Sequence, residues 1–172
     1  VYSFATKLGS SKGFDRLSKA KGIKPNQAHF SLLCADLSDL SKYATHIGNP
    51  LFKMMKRKLP GPYTFVLPAS GEVPKLYKGK KRTIGIRVPK HAVAQHLLRE
   101  LGSPLVVSSV HDEDAVLEYT TDPELILERY NHLVDLVVDG GIGHLEASTV
   151  LDCTGSEPQV LRLGLGAIDD LW

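Results

Sequence analysis

Residues 58–89 read KLPGPYTFVLPASGEVPKLYKGKKRTIGIRVP. Tyr63 to Leu67 and Thr83 to Val88 are short runs rich in β-branched and aromatic residues, each bounded by Pro or Gly, and both are predicted to be strands. Pro60-Gly61-Pro62 fixes the backbone just before the first run and sets Thr64 one residue inside it. A hydroxyl at a strand mouth is placed to meet phosphate or carboxylate. Between the two runs the chain is cationic: from Lys53 to Lys90 there are eleven Lys or Arg against Glu72 alone. The ten basic and eighteen acidic residues elsewhere leave the rest of the chain at −8, although the whole carries only +2. Such a run is either a solvated face or an anion-binding surface.

Working outward, the spacing predicts a helix over Ser11 to Lys21, with Phe14, Leu17 and Ala20 on one side and Gly22 as its stop. Phe30 to Ala35 is predicted to be a short strand. Asp36 or Ser38 then caps a helix that turns Leu37, Leu40 and Ala44 inward. Asn49-Pro50 is expected to be the N-cap and first residue of a third helix, with Leu51, Met54 and Met55 in the core. Further on, Ala92 to Leu101 is a predicted helix burying Val93, Leu97, Leu98 and Leu101, closed by Gly102. Leu105 to Ser109 is a predicted strand, Asp122-Pro123 starts a helix through Tyr130, and Val134 to Val138, Thr149 to Leu151 and Gln159 to Leu163 are predicted strands. The alternation gives an α/β fold. Its last strands lie too close in sequence for helical crossovers, so the sheet is mixed.

At 172 residues and 42% hydrophobic content the chain suits one compact domain. No apolar run is long enough to cross a bilayer, and Val1-Tyr2-Ser3-Phe4 is no leader, so a soluble, cytoplasmic protein is expected. The two cysteines, Cys34 and Cys153, read as small buried residues of a reducing compartment, and His91 and His96 fall on different faces of a helix, which argues against zinc. There is no Walker-type loop, no Ser-His-Asp set and no nucleophilic cysteine to propose.

Pro60-Gly61-Pro62-Tyr63-Thr64, followed by Thr83-Ile84-Gly85-Ile86-Arg87-Val88-Pro89, resembles the signature of YrdC-like proteins, the threonylcarbamoyl-AMP synthase family. Ser148-Thr149-Val150-Leu151-Asp152 downstream of Asp139-Gly140-Gly141, and Val160-Leu161-Arg162-Leu163-Gly164, match in the same order. The resemblance implies a single domain, a twisted mixed open sheet with flanking helices of the YrdC/RibB-like kind. Family members open with a strand and a Pro-Thr-Asp-Thr-type turn before a Val-Tyr pair like Val1-Tyr2, so residues 1–172 are expected to form this domain without its N-terminal strand.

The resemblance also implies an activity. Such enzymes join threonine, bicarbonate and ATP into threonylcarbamoyl-adenylate with release of pyrophosphate, using Mg²⁺, for tRNA adenosine modification. A carbamate anion must then approach an anionic phosphate, so cations have to neutralise the phosphates and set the nucleophile in line. No catalytic side chain is assigned; the residues are binding residues. The family's Lys-x-Arg motif is met by Lys21-Gly22-Ile23, with Lys24 before Pro25 as a one-residue slip, and lysine lacks the bidentate grip of a guanidinium. Lys21 and Lys24 read equally as a favourable helix end. The Ser-x-Asn motif is met by Ser109-Val110-His111, His111 replacing the amide with a group whose charge depends on pH. These two departures turn the resemblance toward the YciO-like branch. Thr64, Ser148 and Arg162 complete the nucleotide-binding set, although hydroxyls such as Ser148 also serve as local backbone partners. His111-Asp112-Glu113-Asp114 admits a magnesium site or a solvated loop. Lys78, Lys80, Lys81 and Arg82 are expected to meet the phosphates of tRNA or double-stranded RNA, as the family's concave basic surface implies. Whether the chain is an enzyme stays open at this point: the alternative is a non-catalytic RNA- or nucleotide-binding module on the same fold.

Overall fold

A computed structural model describes residues 1–24, 30–78, 82–110, 120–169 and 171. The described strands are β1 (Ser3–Lys7), β2 (Ser31–Leu33), β3 (Tyr63–Pro68), β4 (Thr83–Arg87), β5 (Leu105–Ser109), β6 (Thr149–Asp152) and β7 (Gln159–Arg162). They form one seven-stranded sheet in the order β1-β5-β2-β4-β3-β6-β7. β2 runs parallel to β4 and β3 parallel to β6; the other neighbours are antiparallel, so the sheet is mixed as expected. The helices are α1 (Ser11–Ala20), α2 (Leu40–Tyr43), α3 (Asn49–Lys58), α4 (Ala92–Leu101) and α5 (Pro123–Tyr130).

Register divides the sheet into two unlike faces. Successive strand residues point to opposite sides, and residues paired across a ladder share a side. Leu32 pairs with both Ile86 and Val106, and Phe65 pairs with Ile86 and Leu151. This row, with Leu67 and Ile84, is almost wholly buried and forms the centre of the hydrophobic core. On the other face Ser31 pairs with Gly85 and Val107, Val66 with Gly85, and Val150 with Thr64 and Arg162. That second face carries hydroxyls, a glycine and arginines among its valines, where the core row of the first carries only apolar side chains.

Several sequence expectations need correction. The second helix is one short turn, Leu40–Tyr43, with Asp39 at its N-cap; Asp36 instead accepts from the Ser38 amide at 2.7 Å, a local turn that keeps the backbone out of the helix. Gly48 is the N-cap of α3, with Asn49 and Pro50 inside the first turn. Residues 134–138 form no strand: the Val134 amide donates to the Tyr130 carbonyl at 3.0 Å, prolonging the turn that leaves α5, and Leu136 is 69% exposed. In α4 only Leu98 is buried, while Val93 and Leu101 face solvent. β1 was not anticipated, since in this edge strand Phe4 is the one buried residue and no alternation announces it.

Candidate functional site

The polar face of the sheet floors a cleft of about 380 Å³. Five of the seven nucleotide-binding residues expected from sequence line it: Lys21, Thr64, Ser109, Ser148 and Arg162. Lys21 is the C-cap of α1, and its Nζ donates to the Ser109 carbonyl at 3.0 Å, tying the helix end to the end of β5. Thr64 and Ser148, both buried, share a hydrogen bond of 2.8 Å between their hydroxyls. Parallel pairing of β3 with β6, which sets Thr64 against Val150, brings these two hydroxyls together from 84 residues apart. Arg162 of β7 donates from Nη2 to the Ser148 carbonyl at 2.9 Å and from Nε at 3.3 Å, which fixes its guanidinium at the cleft wall.

Arg87, the last residue of β4, joins them from the signature run 83–89. It is half-buried and lines the cleft; its carbonyl accepts from the Cys34 amide at 2.8 Å, while its guanidinium makes no hydrogen bond or ion pair with a described residue. Burial chiefly, and then repulsion from Arg162, holds its pKa below the ordinary arginine value. Like charges brought together in a partly dry site favour an anionic ligand. The described lining supplies no carboxylate to offset them. Ser31, Ser108 and Gly85 also line the cleft, and of these Ser31 carries no signal in the sequence. The signal for Arg87 was present in Thr83–Arg87, where alternation puts Thr83, Gly85 and Arg87 opposite Ile84 and Ile86. Gly85 lets its neighbours approach the backbone closely: a Cβ there would sit 2.4 Å from Ser31 Oγ and 3.1 Å from Thr64 Cγ2.

Other expected residues fall elsewhere. Lys24 is exposed and off the lining, whereas Ile23 is on it. His111, Lys80 and Lys81, with the acidic group 112–114, lie outside the described residues. Lys78 needs correction as a surface cation: it is buried, donates from Nζ to the Ser70 carbonyl, and lines the cleft, because the 3-10 turn Lys75–Tyr77 folds it inward. That turn is anchored by Tyr77, which packs edge-on against Phe14 at 5.4 Å and donates to the Ser10 carbonyl at 3.2 Å. Arg82 is exposed, with a left-handed φ of 54°. The described residues contain no group of three or more His, Cys, Asp or Glu that could hold a metal, and no helix among them is long and apolar enough to cross a membrane.

The mixed α/β sheet thus gives one face to the core and the other to a cationic, hydroxyl-lined cleft. The family model for Sua5/YciO/YrdC proteins, described as telomere recombination, matches residues 1–164, and the chain belongs to that family. It is 37% identical over 169 residues to the uncharacterized protein YciO of Escherichia coli, covering 97% of this chain and 80% of that one. The crystal structure of E. coli YciO superposes with a TM-score of 0.89 at 36% identity, over 98% of this chain and 81% of that one. A threonylcarbamoyl-AMP synthase of Pyrococcus abyssi is 28% identical over 165 residues, covering 95% of this chain but 48% of the synthase. The crystal structure of P. abyssi Sua5 complexed with L-threonine gives a TM-score of 0.84 at 27% identity, over 95% of this chain and 48% of that one.

Proposed function

We propose that this protein is a nucleotidyltransferase of the threonylcarbamoyladenylate synthase type, acting in the cleft on the polar face of the sheet. The observation that carries the reading is the convergence there of Lys21, Arg87 and Arg162 with the Thr64–Ser148 hydroxyl pair, on a fold shared with a protein crystallised with L-threonine. In this reading threonine's amine and bicarbonate give a carbamate and water. A carbamate oxygen then bonds to the α-phosphorus of ATP, the bond from that phosphorus to the bridging oxygen breaks, and pyrophosphate leaves. Lys21, Arg87 and Arg162 neutralise phosphate charge that would otherwise repel the carbamate, and Thr64 with Ser148 holds the amino acid's polar groups. Magnesium enters with ATP as its substrate complex, since the described lining offers it no carboxylate. The threonylcarbamoyl group is destined for tRNA, with exposed Arg82 as one phosphate contact.

The test is pyrophosphate release from MgATP. It is expected to require both threonine and bicarbonate; release no greater than a protein-free blank would overturn the reading. A second reading, a nucleotide- or RNA-binding module without turnover, is favoured by Ile23, which presents an apolar side chain to the cleft where the resembled enzymes carry arginine. Saturable ATP binding without pyrophosphate would support it.

A further inference from the structure

A larger groove, of about 870 Å³, lies away from the cleft. Ser148, just before β6, opens on the cleft, whereas Cys153, just after it, lines the groove, so four strand residues separate the two. Its apolar lining comes from Leu51 and Met54 of α3, Cys153 and Pro158. Lys53, Lys56 and Arg57 of the same helix complete the wall, all three exposed, and no Asp or Glu among the described residues contributes to the lining. Lys56 and Arg57 sit in the last turn of α3, where cations also offset the helix dipole. Lys53, one turn earlier, has no such reason.

One occupant is already visible. The segment that includes Asp169 delivers Leu171 to the groove, where the leucine is buried and its carbonyl accepts from Arg57 Nη2 at 3.4 Å. Of the described acids nearby, Asp169 and Glu157 stand exposed on the flanking loops, off the lining, and neither pairs with Lys53, Lys56 or Arg57. An apolar floor under a cationic wall selects against a bare phosphate backbone, which has nothing to bury, and for a chain that alternates carboxylates with a bulky aliphatic or aromatic side chain. Thioether side chains such as Met54 adapt to differing anchors.

We propose that this groove is a docking site for an acidic peptide segment of a partner protein, carrying one large apolar anchor beside two or more carboxylates. The proposal is independent of the chemistry in the cleft. The chain has two methionines, which supply the probe: Met54 lines the groove, while Met55 is fully buried in the core. With methyl-¹³C methionine in the full chain, the peptide acetyl-Glu-Asp-Asp-Leu-Phe-amide is expected to shift the Met54 methyl signal saturably and leave Met55 in place. The isosteric peptide with Gln and Asn for its acids should bind at least about tenfold more weakly, as should the acidic peptide to the double variant Lys53→Glu, Arg57→Glu, a change of about 1.4 kcal/mol. An unmoved Met55 signal shows that the variant is folded. The proposal is overturned if Met54 does not shift, if both peptides bind alike, or if a short RNA duplex shifts Met54 at lower concentration than the acidic peptide does.

Discussion

Ser148 does two things at once. Its carbonyl fixes Arg162 and its hydroxyl pairs with Thr64, so a cation and a hydroxyl pair share one anchor. Replacing Arg162 with Ala is expected to weaken ATP binding at least about tenfold, as loss of a charge-assisted contact worth about 1.5–3 kcal/mol requires. Arg162→Lys should recover little, because one ammonium cannot hold the Ser148 carbonyl and grip phosphate in the geometry of a guanidinium. Titration calorimetry with ATP reads both variants. Thr64→Val removes one partner of a buried hydroxyl and should cost about 1–3 kcal/mol of stability by urea unfolding. At Ile23, restoring arginine is expected to raise ATP affinity or turnover, and a silent Ile23→Arg in both assays would remove that position from the site. At this scale the motifs made Lys21, Thr64, Ser109, Ser148 and Arg162 legible, because each stands beside an ordered strand or helix end. Ser31 was not legible: a lone serine in an apolar strand carries no signal until its pairing with Gly85 and Val107 places it on the polar face.

The elements show which parts of the chain announce themselves. β3 and β4 are readable because they are short β-branched and aromatic runs bounded by Pro or Gly, and α1 because Ser10 caps it through the Gly13 amide at 3.0 Å. The 134–138 run failed because β-branched content alone cannot tell a strand from a partly covered turn whose partners come from α1. There Arg16 donates to the Leu133 carbonyl at 2.7 Å and pairs with Asp135. One contact between elements is tight enough to test. A Cβ at Gly166 would lie 2.4–2.8 Å from three atoms of the Tyr63 ring, which is itself tied to the Ala167 carbonyl by a 2.9 Å hydrogen bond. Gly166→Ala is therefore expected to destabilise by about 1–3 kcal/mol, with a matching fall in the urea midpoint. Gly71→Ala, which meets nothing within 4 Å, is the control and should unfold like the parent chain.

Across the whole molecule, one core ties the strands together, and its two thiols report on it. Cys34 and Cys153 are both buried, and burial chiefly pushes each thiol from 9.0 up to about 12. A raised folded pKa means that the unfolded chain gives up these protons first. Stability from the protonated thiols is thus complete below pH 9 and is lost as pH rises toward about 12. Urea midpoints should fall across that interval by less in the double variant Cys34→Ala, Cys153→Ala than in the parent, and equal falls would contradict the assignment. The measurement that bears most directly on the chemistry follows the carbon of bicarbonate. With ¹³C-bicarbonate, threonine and MgATP, a ¹³C carbamoyl signal is expected to co-purify with AMP and threonine in one molecule, and at sub-saturating ATP to fall at least about tenfold with Arg162→Ala. ATP left intact by the parent chain, with its label still in bicarbonate, would contradict it.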